Sequence, residues 1–332
     1  MSSDVQSGTT MPLPDASGGG PVDNDGGALL IGLVNNMPAA AKKATEEQFM
    51  DLLTTAADKR GVRIKFFVAE NDPERAEETL RVLRQLQPDG LIVTGDEPRR
   101  QSMLDEPLWP AFARLVDWAA DNTIAAVWSC MAAHAAVFRL DRIARERKPQ
   151  KLSGIYECEK ASEHPLLEGL PSRWPVPHSR HNAVAELALN GAGYQILSHA
   201  PGVGADSFVK LVGSSLFLFL QGHLEYAPDS LFREYRRDIR RFLTGQSATY
   251  PEMPENYFDQ NTARQLAKLR IKAERSRSPR LLAEIYAVFA ATEVPALATP
   301  AAGLYANWLS YLAQEKAHRE SGKLLEAQRG AA

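Results

Sequence analysis

The chain has 332 residues, 44% of them apolar and 24% charged, and a formal net charge of −3. That balance is enough to bury a sizeable core, as one large domain or two modest ones. It gives no bulk electrostatic reason for a nucleic-acid or membrane partner. With no apolar run long enough to span a bilayer and no basic-then-apolar start, a soluble, cytoplasmic protein is expected. The two cysteines, Cys130 and Cys158, are expected as free thiols.

Residues 1–27 are rich in Gly, Ser, Pro and Asp and read as a disordered leader. Folding is expected to begin at "ALLIGLVNN". The apolar runs Leu29–Val34, Val62–Ala69, Leu91–Thr94 and Ile124–Trp128 predict buried strands. Helical patterns separate them. Thr45 is expected to cap the first, with Gln48 as its capping-box partner ahead of "FMDLLTTAADKRG". Others run through "DPERAEETLRVLRQL" and "WPAFARLVDWAAD". Strand–helix alternation implies right-handed crossovers and a mostly parallel sheet covered on both faces. The later runs "GYQILSHA", "FVKLVGS" and "SLFLFLQGH" leave no room for helices and predict an antiparallel extension. The expected fold is α/β, a three-layer sandwich.

Ligands in such sheets bind at the carboxyl ends of the strands. "TIAAVWSCMAAHAAV" places Cys130 at one such end, where a strand turns into a helix. The helix N-terminus favours an anion there, either a thiolate or a developing oxyanion. The amides of Cys130 and its neighbours are candidate oxyanion donors, and Ala132 and Ala133 permit a tight turn. Position alone leaves open a second reading, a buried small hydrophobe. Downstream, "FLQGHLEYAPDS" sets His223 and Glu225 two apart, pointing the same way on extended backbone. Cys, His and carboxylate would make an activated nucleophile, its base and the base's orienter. A surface His-x-Glu pair is the alternative.

At these residues the chain resembles the homoserine O-acyltransferases of methionine biosynthesis, the homoserine O-succinyltransferase family. The resemblance runs from Leu29 to Tyr311 and rests on ordered motifs: "NNMP" (35–38), "TEEQF" (45–49), "DGLIVTG" (89–95), "KLSGIYE" (151–157), "PHSR" (177–180), "GHLEY" (222–226), "EYRRD" (234–238), "PENYF" (254–258) and "NWLSY" (307–311). It implies a fold like that of class I glutamine amidotransferases and a ping-pong reaction. Acyl-CoA acylates the cysteine, CoA departs, and the homoserine hydroxyl takes the acyl group. By motif position Cys130 would be the acyl-thioester nucleophile, His223 the general base and Glu225 its support. Arg237 would pair with the homoserine carboxylate, with Glu234, Lys151 and Ser179 as further substrate contacts and Lys42 as a possible acyl-site lysine. Glu234 could instead form an intrahelical ion pair with Arg237 or Arg241.

In this family, succinyl users resemble one another in a glycine after the "TG", and acetyl users in a glutamate. The chain reads "TGDEPRRQS", which brings Arg99 or Arg100 to that position. An arginine would bind a succinyl carboxylate, so succinyl-CoA is expected over acetyl-CoA. The chain departs from the family at Cys130-Met131-Ala132, at His181, and in a basic helical insertion over 259–300. These departures leave serine as an alternative acceptor. The expected organisation is an acyltransferase domain over 28–258, the inserted helices at 259–300, and a C-terminal helix over 301–332 packed on the domain. No metal and no bound cofactor are expected beyond acyl-CoA as cosubstrate, and the resemblance implies a homodimer. An amidase on the same fold and a non-catalytic amino-acid or acyl-CoA sensor are the rival readings.

Overall fold

The computed structural model describes residues 28–69, 73–294 and 296–330; the expected leader, 1–27, lies outside them. One nine-stranded sheet organises the chain, in the order β2-β1-β3-β4-β9-β8-β7-β5-β6. Its first half is parallel: β1 (Leu29–Val34), β2 (Val62–Phe67), β3 (Gly90–Val93) and β4 (Ala125–Ser129), joined on β4 by β9 (Ser215–Leu220). The second half is antiparallel: β8 (Gly204–Val212), β7 (Gln195–Ala200), β5 (Glu146–Lys160) and β6 (Arg173–Ala183).

Every side chain of β3, β4 and β9 is buried, as a strand covered on both faces requires. One face packs on α2 (Pro73–Leu86), α3 (Trp109–Asn122), α4 (Met131–Asp141) and α5 (Glu186–Gly191), in a core holding Leu83, Phe112, Trp128 and Val137. The other packs on α1 (Ala39–Ala57) and α9 (Ala301–Gly330), around Phe49, Leu53, Tyr305 and Trp308. The result is the three-layer α/β sandwich expected. Among the described residues no helix is long and apolar enough to cross a membrane.

The region 259–300 contains α7 (Gln260–Arg275) and α8 (Leu281–Ala290). They build a separate core with α6 (Ser230–Leu243) through Leu266, Leu269, Ile285 and Phe289. Tyr235, Ile239 and Phe242 supply α6's share, which leaves Glu234, Arg237, Asp238 and Arg241 along another stripe of the same helix.

Three local expectations change. Thr45 does not cap α1: the helix starts at Ala39 after Pro38, and Thr45 is buried within it. The Ala-rich "AAAKKA" has enough helix propensity to extend the helix ahead of the capping box. The run ending in "LFLFL" is antiparallel to β8 but parallel to β4, so it joins the two halves of the sheet. The hairpin partners β5 and β6, which carry "KLSGIYE" and "PHSR", went unread as strands because their apolar and polar residues are mixed.

Candidate active site

Cys130 stands between β4 and α4 at the carboxyl edge of the parallel strands, with φ 53° and ψ −113°. A non-glycine residue in that region costs on the order of 1–3 kcal/mol, and its neighbours must enforce it. One of them does so directly, because the Cys130 amide donates to the Leu220 carbonyl of β9 at 2.7 Å. That bond overturns one expectation: the cysteine's own N–H serves the sheet and is not an oxyanion donor. The Met131 amide, which opens α4, is a candidate in its place. The loop after β3 abuts it so closely that a Cβ on Gly95 would fall 2.5 Å from Met131 Cβ and 2.9 Å from Met131 N. Only glycine allows that approach.

The thiol is partly accessible, whereas Cys158 is buried; both are free. The buried-hydrophobe reading therefore fits Cys158 and not Cys130.

His223 and Glu225 follow β9 and are both buried, so they are no surface pair. They lie in a turn and not on extended backbone. They meet all the same: His223 Nδ1 is 2.7 Å from Glu225 Oε1. The ring stacks on Tyr226, centroids 4.2 Å apart and planes 15° apart, and its amide donates to the Pro177 carbonyl at 2.8 Å. Burial would push the imidazole down, but Glu225 and Cys130 outweigh it and raise His223 well above its ordinary value. With a carboxylate on Nδ1, the Nε2 face is the one left for the cysteine.

Cys130, His223 and Glu225 line one cavity of about 440 Å³, bounded by α1, the loop after β3, β5, β6 and α6. Lys151, Ser179, Glu234 and Arg237 line it too, so the structure brings together most of the residues singled out by motif. Glu234 is their hub. It accepts from Ser179 and Tyr226 and lies 3.3 Å from Lys151 Nζ, which also reaches Asp238 at 3.2 Å. The intrahelical ion pair with Arg237 or Arg241 does not form: Arg237 Nε donates to Asp238 at 2.8 Å, and Arg241 grips Glu97 through two bonds of 2.9 and 3.1 Å. Burial would raise the Glu234 carboxyl, yet Lys151, then Arg237, then the two hydroxyl donors hold it down at about 2.

Three expected residues lie elsewhere. Lys42 is absent from the cavity wall, where α1 presents Ala41, Ala44, Thr45 and Gln48. Arg99 and Arg100 are absent as well. Their amides turn onto the Glu106 carboxylate at 3.0 Å, both side chains are exposed, and the Arg99 guanidinium pairs with Asp96. The residues of this loop that do line the cavity are Gly95, Asp96, Glu97 and Pro98. Sequence reasoning did not single out Glu97, Tyr226, Asp238 or Arg180, although the last three sit inside quoted motifs. His134, expected to be packed or hydrogen-bonded, is buried 3.0 Å from Gln221 Oε1 and neutral, its imidazole pushed down to about 3 by burial.

A family model described as "HTS: Homoserine O-succinyltransferase" matches residues 20–319. A homoserine O-succinyltransferase of Rhodopseudomonas palustris is 44% identical, over 86% of this chain and 88% of that one. One of Methylorubrum extorquens is 42% identical, over 87% and 88%. Among solved structures, a glutamine amidotransferase of Thermotoga maritima aligns with a TM-score of 0.46 at 12% identity, over 86% of this chain and 98% of that one. The glutaminase domain of Trypanosoma brucei CTPS gives 0.47 at 14%, over 60% and 87%.

Proposed function

The chain belongs to the homoserine O-succinyltransferase family of acyltransferases, and from that premise we propose that it moves a succinyl group from succinyl-CoA to the hydroxyl of L-homoserine through a thioester on Cys130. The observation that carries the reading is Cys130 on a strained elbow, sharing a cavity with a histidine whose far nitrogen is anchored 2.7 Å from a buried carboxylate.

The raised basicity of His223 favours a proton resting on its ring. The Cys130 sulfur attacks the thioester carbonyl, and the oxyanion forms at the mouth of α4 beside the Met131 amide. Collapse expels CoA, whose sulfur takes the proton from His223. CoA leaves, and the now neutral imidazole removes the proton from the homoserine hydroxyl as its oxygen attacks the Cys130 thioester. Release of the ester restores the cysteine sulfur and the protonated ring. One thioester is exchanged for another in the first half, so that step is nearly balanced in energy.

Arg237 spends its Nε on Asp238, which leaves its terminal nitrogens to fork onto the homoserine carboxylate. Glu234, held ionised, is the partner for the substrate ammonium. Support for the succinyl group comes from the names of the relatives, because the arginines expected to bind it do not line the cavity.

The test follows CoA thiol release from succinyl-CoA and acetyl-CoA, with and without homoserine, in the wild type and Cys130→Ala. Intact mass after donor alone reads the acyl-enzyme directly. Homoserine-dependent turnover of succinyl-CoA that vanishes in the variant is expected. Turnover of neither donor, or an unacylated cysteine, sinks the proposal; serine as the better acceptor would replace homoserine.

A further inference from the structure

The proposed reaction calls on two groups of one cavity, the base His223 and the carboxylate Glu234, and one side chain touches both. Tyr226 lines the cavity and follows the histidine closely in the chain. Its amide donates to the His223 carbonyl at 3.3 Å, which closes the turn and brings the phenol over the imidazole. The rings lie 4.2 Å apart at their centroids and 15° from parallel. At the far end of the phenol, the hydroxyl donates to Glu234 Oε1 at 2.5 Å. Among the described residues no other side chain has a hydrogen bond or ring contact with both groups.

Each contact removes a freedom that the other partners leave. The Glu225 carboxylate holds one edge of the imidazole through Nδ1, and a ring laid parallel on its face holds the plane. The Glu234 carboxylate is held in the same divided way. Its Oε2 faces Ser179 and Lys151, whereas Oε1 accepts from Tyr226 alone among the described residues. A carboxylate oxygen offers two lone pairs, so Oε2 is full and Oε1 has room for one more donor. The phenol is the donor in this bond because Glu234 is ionised. Burial, then the Glu234 charge, raises Tyr226 well above its ordinary value, so it keeps its proton and is no acid or base of the reaction.

We propose that Tyr226 is a positioning residue for the acceptor half of the reaction, its phenol fixing the spacing between His223 and Glu234 Oε1. His223 takes the proton of the acceptor hydroxyl, and Oε1 is the atom with capacity left for the acceptor ammonium. The inference rests on the transferase reading and deepens it. An amino acid that carries its amine and its hydroxyl on one short chain reacts only where both are met at once, and a displacement of about 1 Å is enough to lose that geometry. A phenol suits the task because it is rigid, has few rotatable bonds, and joins an apolar face to a polar tip. Acylation of Cys130 by the donor uses His223 and not Glu234, so the two ends of the phenol can be tested apart.

Tyr226→Phe keeps the stack and releases the carboxylate. Acylation of Cys130 by succinyl-CoA alone, followed by quench and intact mass, should stay within about twofold of the wild type, while kcat/KM for homoserine falls about tenfold. In a Glu234→Gln background the same change should cost only about threefold, because a neutral amide accepts more weakly than the carboxylate. Tyr226→Leu removes the stack as well and should slow acylation about tenfold. A Tyr226→Phe enzyme with unchanged kcat/KM overturns the proposal, as does one slowed equally in acylation. So does a loss as large beside Glu234→Gln as beside Glu234, or a Tyr226→Leu enzyme acylated at the wild-type rate. Should Tyr226→Leu fail to fold, the phenylalanine and double variants decide. Each of these failures occurs in a chain whose wild type still passes the acyl group to homoserine; a wild type that forms no acyl-enzyme overturns the transferase reading, and this inference with it.

Discussion

Glu234→Gln removes a single negative charge from the centre of the cavity while keeping the side chain's shape. In the native site the carboxylate faces Lys151 at 3.3 Å and receives the Ser179 and Tyr226 hydroxyls. Burial opposes ionisation, but those cationic and hydroxyl partners bring the group to about 2 against an ordinary 4.5. A gap of that size corresponds to roughly 3 kcal/mol of folding stability. Because the folded value lies below the unfolded one, this stability is complete above about 4.5 and is lost as pH falls towards 2. Urea denaturation followed by tryptophan fluorescence should show wild type above Glu234→Gln by about 2–3 kcal/mol at neutral pH. More than half of that difference should be gone by pH of about 3. A difference that persists undiminished in acid, or none at neutral pH, would refute the assignment of an ionised hub. Steady-state kinetics on the same variant should show a raised KM for homoserine.

Glu225→Gln keeps a partner for His223 Nδ1 but removes the charge that stabilises the protonated ring, so kcat should drop by about 10²–10⁴ with unchanged circular dichroism. An unaltered kcat would show that the pair is structural. Gly95→Ala places a Cβ 2.5 Å from Met131 Cβ; it should lower stability by about 1–3 kcal/mol and depress turnover by displacing the elbow, as thermal melts and kinetics would report. Arg99→Ala and Arg100→Ala should leave the ratio of succinyl-CoA to acetyl-CoA turnover unchanged, since neither side chain reaches the cavity. Arg241→Ala, which uncovers the Glu97 carboxylate on the cavity wall, should lower that ratio by repelling a dicarboxylic acyl chain. A changed ratio in the first pair would return the donor argument to those two residues.

The strands β1, β3 and β4 were legible because strands covered on both faces leave continuous apolar runs, as in "LLIGLV" and "AAVWS"; β2, expected to be buried as well, is an edge strand with no buried residue. The sharp turn at Cys130 followed from the same logic, since a strand that stops at a small-residue helix must turn sharply there. β5 and β6 were illegible for a related reason. Each has residues on the cavity wall, Lys151, Ser179 and Arg180 among them, so alternation is broken where the site needs charge. The turn holding His223 and Glu225 gave the right contact for the wrong geometric reason, because two residues of spacing can converge by bending as well as by extension.

The arginines mark where reading a chain in order runs out. On α6 the apolar stripe of Tyr235, Ile239 and Phe242 and the charged stripe of Glu234, Arg237, Asp238 and Arg241 are both visible as helical spacing. The partner each charge takes is not. Helical spacing offered Glu234 an arginine three or seven residues away, yet Lys151 and Ser179 reach it from strands brought alongside by the antiparallel pairing of β5 and β6. Arg99 and Arg100 fail for the converse reason. Aligned position put them beside the acyl chain, but the Glu106 carboxylate collects both amides, and the loop lines the cavity with Gly95, Asp96, Glu97 and Pro98 instead. That carboxylate is itself held by a buried ion pair with Arg145. Local pattern therefore predicts which face a residue occupies, while the charge it meets there depends on the order of strands in the sheet.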